Sequence, residues 1–184
     1  MKKSTLILLI TTFAIALTSS CSKENDDDDN NNNGNNSTLP DANFEMNVSG
    51  AESYSFSFTL PANVASTHAI NGSHLASQEV LSIAASELPI TWLYGLIADI
   101  STLSEGTFDL KVGASAFSNP TQTNAYTAVS GTITISKATL FQTVSSVEDW
   151  FIDGTYSGTY QDAGTPPNQI TISGSFSGVN IKAQ

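Results

Sequence analysis

The two histidines of the chain, His68 and His74, are the first candidates for metal binding or general-base chemistry. Asn71-Gly72 lies between them within alternating residues, and this dipeptide predicts a two-residue β-hairpin turn. Because side chains alternate across a sheet, such a hairpin would place the two imidazoles on opposite faces. A metal site needs several convergent ligands. We therefore expect a structural role for both histidines, with no bound metal and no cofactor.

Carboxylates and hydroxyls are the next candidates for catalysis. No G-x-S-x-G motif occurs, so the sequence indicates no catalytic serine. Paired carboxylates could hydrolyse a glycosidic bond by general acid and base catalysis. The candidates for such a pair are Asp99, Glu105, Asp109, Glu148, Asp149, Asp153 and Asp162. A small acidic domain brings some acids together by chance, so we interpret them as a solvated surface and keep an extracellular glycan hydrolase as the alternative function.

Aromatic rings close to these acids could stack on sugar rings. Trp150, Tyr156 and Tyr160 are the candidate ligand-stacking residues. Trp150 stands among acids near a predicted turn and is expected to be exposed, while the two tyrosines share one strand face. The alternative is that these rings fill the core of the domain, which the strand pattern also predicts.

The segments that must position these residues have the pattern of β-strands. Residues 53–60 read Ser-Tyr-Ser-Phe-Ser-Phe-Thr-Leu, which places apolar side chains on one face and hydroxyls on the other. This period of two predicts a half-buried strand. Residues 90–97 are apolar on both parities and predict a strand covered on both faces. Residues 78–88 fit either a strand or a helix, and residues 144–152 suggest a helical turn.

A glycine followed by a hydroxyl residue and then a large apolar residue recurs at five places: Gly106, Gly131, Gly154, Gly158 and Gly174. The pattern predicts a glycine at a turn or bulge, an outward hydroxyl and an inward apolar side chain. Short alternating segments split by Gly, Asn, Pro and Ser are typical of antiparallel sheets. We therefore predict an all-β domain over residues 39–184, built as an antiparallel β-sandwich or an open barrel.

The charge of the chain excludes one class of partner. It contains 17 acids, six lysines and no arginine, and its net charge is −11. Nucleic-acid binding depends on clusters of Lys and Arg that contact phosphates. We therefore expect no nucleic-acid partner.

The N-terminal residues have the layout of a targeting signal. Lys2 and Lys3 precede an apolar stretch at residues 6–17, and small residues follow at 18–20. This arrangement predicts a secretory signal peptide over residues 1–20. The only cysteine, Cys21, comes next, and residues 22–38 contain no aromatic or aliphatic side chain. Such a composition cannot offset the entropy of ordering, so residues 21–38 are predicted to form a disordered acidic and Asn-rich tether.

The residues Leu17-Thr18-Ser19-Ser20-Cys21 resemble the processing site of bacterial lipoproteins. This resemblance implies that Cys21 is the first mature residue and carries acyl chains, palmitate among them, that anchor the protein to a membrane. The residues that follow resemble the export signal of Bacteroidota surface lipoproteins, which is a lysine followed by acids: Lys23, Glu24, Asp26 and Asp27. The resemblance implies the extracellular face of the outer membrane; the alternative is a solubilising spacer.

Four segments of the second half resemble a small β-rich domain of unknown function in Bacteroidota lipoproteins: EGTFDL, AYTAVSGTITIS, IDGTYSGTY and ITISGSFSGVNI. The resemblance implies a fold class and a location, and it supplies no catalytic residue. We therefore expect a non-catalytic binding or accessory subunit rather than an enzyme. Its expected partners are an outer-membrane protein complex or an extracellular glycan.

Overall fold

Segments of alternating apolar and hydroxyl residues form the strands of this protein. The computed structural model describes residues 39–62, 66, 68–87, 92–121 and 123–184. The predicted signal peptide, Cys21, the tether and the export signal lie outside these residues. The described strands are β1 (Ala42–Gly50), β2 (Tyr54–Leu60), β3 (His68–Leu75), β4 (Val80–Glu87), β5 (Leu93–Asp99), β6 (Gly106–Asp109), β7 (Ala116–Ser118), β8 (Ala125–Val144), β9 (Val147–Gln161) and β10 (Gln169–Ala183).

The strands pair into a closed barrel of seven strands, in the order β10-β3-β4-β5-β7-β8-β9 and back to β10. Closure occurs because β9 pairs with β8 along one edge and with β10 along the other. The prediction of an all-β domain is confirmed. One pair departs from the antiparallel pattern, since residues 181–183 of β10 run parallel to residues 72–74 of β3.

The hairpin of β1 and β2 extends the sheet beyond the ring and contributes aromatic rings to the core. β1 pairs with the first half of β10, and β2 pairs with β1. Phe56 lies 4.6 Å from Trp92 between ring centroids, and Phe44 lies 6.1 Å from the same indole. Trp92 is therefore fully buried. Aromatic pairs of this kind contribute about 0.5–1.5 kcal/mol each beyond their buried area.

Glycines inside the strands make room for aromatic rings inside the barrel. Gly154 faces Phe176 across the β9–β10 pair, and Gly174 faces Tyr156 across the same pair. A Cβ on Gly154 would lie 2.7 Å from the Phe176 ring, and one on Gly174 would lie 2.5 Å from the Tyr156 hydroxyl oxygen. Both are inward strand positions that a ring occupies from the neighbouring strand. The prediction of a turn or bulge is wrong at Gly174, whereas Gly154 borders the register shifts that β9 makes with β8 and with β10.

Three segments that fit the strand pattern are strands in the structure. β2 has the predicted alternation, with its serines exposed and Phe58 buried. Residues 78–88, which fit a strand or a helix, contain β4, whose central residues are all buried because the strand has covered faces on both sides. β5 is the strand predicted at residues 90–97, and one of its faces is buried while the other is half-buried.

The predicted hairpin at Asn71-Gly72 is wrong. β3 continues through both residues and pairs with β4 along its whole length. Gly72 faces inward, and the space beside it is filled by the side chain of Ile181. His68 and His74 are separated by an even number of positions, so they lie on the same face of β3 rather than on opposite faces.

The predicted helical turn at residues 144–152 is also wrong. Ser145 and Ser146 form a two-residue turn between β8 and β9, with φ angles of 50° and 70°. Positive φ at both central positions defines the type I′ turn that matches the twist of a β-hairpin. Val144 and Val147 pair directly across this turn, so the chain reverses without any helix.

Candidate functional site

A basin opens at the end of the barrel where β3 and β10 finish and the β8–β9 hairpin turns. Its volume is about 400 Å³. Six of its lining residues are His74, Ser101, Leu103, Thr143, Glu148 and Trp150. The basin is therefore formed by strand ends and by the loop that follows β5, and its lining combines apolar walls with one carboxylate.

Trp150 and Glu148 give the basin its chemical character. Both lie on β9 at positions of the same parity, so both side chains project to the same face of the strand. The indole Nε1 of Trp150 donates a hydrogen bond of 2.9 Å to Oε2 of Glu148. Trp150 is half-buried, as an indole at the rim of a cavity should be. The sequence predicts an exposed Trp150, whereas the structure packs one side of the indole against the core and leaves the rest at the basin.

The other two predicted stacking residues, Tyr156 and Tyr160, lie in the core. Their exposed fractions are 4% and 0%. The hydroxyl of Tyr160 lies 2.9 Å from that of Tyr94, and the hydroxyl of Tyr156 donates to the carbonyl oxygen of Glu45 at 2.9 Å. Burial raises the pKa of Tyr160 to about 12. The structure therefore assigns both rings to core packing, the alternative role, and not to a surface that could stack on a ligand.

His74 lines the basin but is held by the protein. Its exposed fraction is 4%, and its Nε2 lies 3.0 Å from the carbonyl oxygen of Ile100. This contact links the end of β3 to the loop after β5. Within the described ranges, no three His, Cys, Asp or Glu side chains are close enough together to hold a metal ion.

The free edge of β8 borders the basin. Its first part pairs with β7 and then with β6, as far as Ile135. Residues 136–144 pair with β9 on one side, and on the other side they pair with no strand of the described chain. Leu140, Phe141 and Val144 on this edge are 45%, 38% and 56% exposed. A row of open main-chain groups with apolar side chains on it is typical of a docking surface.

A shallower groove lies on the outer face of β8, β9 and β10. Its volume is about 310 Å³, and Phe141 and Phe151 line it with their rings packed edge to face. Lys182 forms an ion pair with Asp149, and Gln142 donates to the same carboxylate at 2.7 Å. Burial would raise the pKa of Asp149, but these hydrogen bonds and the lysine charge lower it. The Asp149 carboxylate therefore has a structural role, because it connects the β8–β9 hairpin to β10.

Other candidate acids also have structural partners. Asp99 forms an ion pair with Lys111 at 2.8 Å. Asp153 accepts the main-chain N–H of Gly178 at the bulge of β10. Asp162 accepts hydrogen bonds from the loop that follows it, which lower its pKa. Of the carboxylates considered for hydrolysis, only Glu148 lines the basin among the residues that the structure describes.

A half-buried carboxylate that the sequence did not single out joins two loops. Glu52 accepts hydrogen bonds from the side-chain amides of Asn119 and Asn124, at 3.1 and 2.7 Å, and from the hydroxyl of Tyr126 at 2.9 Å. Burial and this carboxylate raise the pKa of Tyr126 to about 12. Because the donors converge from the β7–β8 loop and from β8, the cluster is a structural clamp on the β1–β2 turn.

Comparisons with known proteins give no family for this chain. No protein-family profile, no curated protein and no solved structure matches it. In the part of the chain that the structure describes, no helix has the length and apolar character that crossing a membrane requires.

Sequence reasoning missed the free edge of β8. The adjacent residues Leu140 and Phe141 break the alternation of the preceding strand, which indicates a bulge but not an unpaired edge. In the structure this break is a bulge between Leu140 and Gln142, which turns Phe141 to the outer face. The exposure of these residues depends on the short length of β6, and no local pattern indicates it.

Proposed function

We propose that this chain is an outer-membrane surface lipoprotein that acts as a non-catalytic binding or accessory subunit. The sequence supports the anchor through Cys21 in a lipoprotein-like processing site. It supports the extracellular face through the export-like residues Lys23, Glu24, Asp26 and Asp27. The acyl chains would hold the protein at the membrane, and the tether would let the barrel meet its partner there.

The observation that carries the binding role is the exposed apolar edge of β8. Leu140, Phe141 and Val144 are large apolar side chains, and they adjoin main-chain groups that no described strand pairs. Soluble domains seldom expose such a combination unless another molecule covers it. The basin beside the edge adds a recess for part of the partner.

Co-purification from the native outer membrane tests this role. The acylated protein would be extracted in mild detergent, and the molecules that accompany it would be identified by mass spectrometry. We expect a stoichiometric membrane-protein partner that is lost from the variant Leu140→Thr/Phe141→Thr. The matched control is Val112→Thr, because Val112 is 64% exposed on a loop outside the basin lining. An isolated monomer in every preparation would contradict the accessory role and direct the work to glycan binding and turnover assays.

Anchoring is tested separately from binding. The variant Cys21→Ser is expected to lose incorporation of labelled palmitate and to leave the membrane fraction. External protease should degrade the wild-type protein on intact cells. Replacement of the export-like acids by serine should abolish that degradation while acylation remains. Retained acylation of Cys21→Ser would refute the anchor, and degradation independent of the acids would leave the tether as a spacer.

A further inference from the structure

The free edge of β8 and the basin form one continuous surface. Thr143 belongs to the edge, and residues 101–103 belong to the loop that follows β5, yet all of them line the basin. The basin therefore fills the gap between the last part of β8 and that loop. A further strand placed beside residues 136–144 would lie along this gap, immediately after the position where β6 ends its pairing with β8.

Main-chain groups of β8 point into the gap. The turn at Ser145 and Ser146 is closed by Val144 and Val147, which form the hydrogen-bonded pair of a type I′ hairpin. Residues next to such a pair direct their N–H and C=O groups away from the partner strand. The amide and carbonyl of Thr143 therefore face the open edge, where an added strand would bond to them.

We propose that β8 binds an extended, cationic peptide segment of the partner by strand addition, with one inward side chain of that segment inserted in the basin. This inference rests on the proposed binding function and specifies its mode. Main-chain hydrogen bonds along residues 136–144 supply affinity, and the basin selects the side chain, as in other cases of strand addition.

Charge favours a cationic segment over the other occupants. The barrel domain carries twelve carboxylates and three lysines, a net charge of −9. Two of the lysines are ion-paired at Asp99 and Asp149, and the third, Lys137, is exposed on the open edge six residues before Thr143, away from the basin. A second copy of the chain would bring the same negative charge to the interface. Residues 22–38 of this chain hold five acids, one lysine and no apolar side chain, so they match neither the charge nor the apolar walls.

The basin suits a long basic side chain. Leu103 and Trp150 provide apolar walls for its methylene stem, as lysine and arginine stems require. Glu148 is the one charged residue among the described lining residues, and its carboxylate can accept further hydrogen bonds beyond the one from Trp150. The indole adds a cation–π surface.

Strand addition to β8 is tested by measuring how peptides bind to the full acylated chain in detergent. The probe is a short blocked peptide in which lysine alternates with valine. Its controls are the same peptide with glutamate in place of lysine, and a version N-methylated at alternate residues, which keeps the side chains but loses one row of N–H donors. Calorimetry measures affinity, and tryptophan fluorescence reports the basin. We expect the lysine peptide to bind and both controls to bind at least about tenfold more weakly.

Two pairs of variants locate the binding. Thr143→Pro removes the N–H that faces the open edge and leaves the hydrogen bonds to β9 in place. It should weaken the binding of the lysine peptide about tenfold. Thr143→Ala keeps the N–H, so it should bind the lysine peptide more tightly than Thr143→Pro does, although it shortens one side chain of the basin wall. Glu148→Gln should weaken binding, and Glu45→Gln should not, because Glu45 lies on β1 and lines neither the basin nor the open edge of β8. Near-ultraviolet circular dichroism verifies that each variant is folded.

Equal binding of the parent and N-methylated peptides, or no effect of Thr143→Pro, would overturn strand addition. Equal binding of the lysine and glutamate peptides would overturn the cationic specificity. A native partner that requires Leu140 and Phe141 but is retained by Thr143→Pro would leave the proposed function standing and refute only this mode. A glycan as the sole companion of the purified protein would refute the peptide partner.

Discussion

Alkaline pH should unfold this domain before it ionises any of the four buried tyrosines at the ordinary pKa of 10. The chain has five tyrosines, and all five have a raised pKa: Tyr54, Tyr94, Tyr126, Tyr156 and Tyr160. Burial is the largest cause in each case. Tyr54 is half-buried, but the other four are buried, and since a buried phenolate has no solvent to stabilise its charge, the folded protein keeps these four in the neutral form.

Tyr160 allows the magnitude to be calculated. Its pKa is about 12 in the fold, against 10 in the unfolded chain. Between these values the unfolded state has released its proton while the native state retains it, so stability falls as pH rises. Two pKa units correspond to about 2.7 kcal/mol. Tyr94 and Tyr156 have a raised pKa for the same reason and add to the loss, against a total stability of about 5–15 kcal/mol for a typical domain.

The assay follows tyrosinate absorbance and circular dichroism together as pH is raised. We expect both signals to change in one cooperative step above pH 10. The variant Tyr160→Phe loses the hydrogen bond to Tyr94, so it should be about 1 kcal/mol less stable at neutral pH. It also loses one titrating group, so by pH 12 it should be more stable than the wild type. Tyrosinate absorbance of more than one tyrosine with a midpoint near pH 10, in a protein that stays folded, would refute this reasoning.

Three further predictions concern stability. Gly174→Ala should cost about 1–3 kcal/mol in urea unfolding because its Cβ would overlap the main-chain oxygen of the paired strand. Gly95→Ala, whose Cβ would meet nothing closer than 3.9 Å, should change stability by less than about 0.5 kcal/mol; equal losses would contradict the packing argument. Ser146→Gly should increase the free energy of unfolding by about 1 kcal/mol, seen as a higher melting temperature, because φ is 70° at this position. No gain would mean that the turn is unstrained. Glu52→Ala should cost about 2–3 kcal/mol by removing a charged acceptor, and it should lower the pKa of Tyr126 from about 12; an unchanged pKa would refute the clamp.

The sequence predicts the strands well because their pattern is local. Apolar and hydroxyl side chains alternate in residues 54–60, and the structure places the apolar ones on the covered face and the hydroxyl ones on the exposed face. The closure of the barrel depends instead on pairings far apart along the chain. β3 and β10 meet in parallel over residues 72–74 and 181–183, and nothing near Gly72 indicates that Ile181 fills the space beside it.

Parity identifies a face but not what covers that face. Tyr156 and Tyr160 share one face of β9, as predicted, yet closure of the ring turns that face inward. Trp150 has the same parity and remains accessible because it lies near the end of the strand, where the basin opens. The accessibility of these three rings therefore depends on distance from the barrel end, which strand periodicity does not contain.

The proposed binding edge arises from unequal strand lengths. β8 has 20 residues, whereas its neighbours on one side, β7 and β6, have three and four. Those neighbours end their pairing at Ile135, while β9 continues to pair with β8 as far as Val144. The β8–β9 hairpin therefore extends beyond the last residue that β6 pairs, which leaves one edge of β8 open. The apolar side chains on this edge are poorly solvated. A binding surface of this origin requires no special motif, so it is visible only once the strands are assembled.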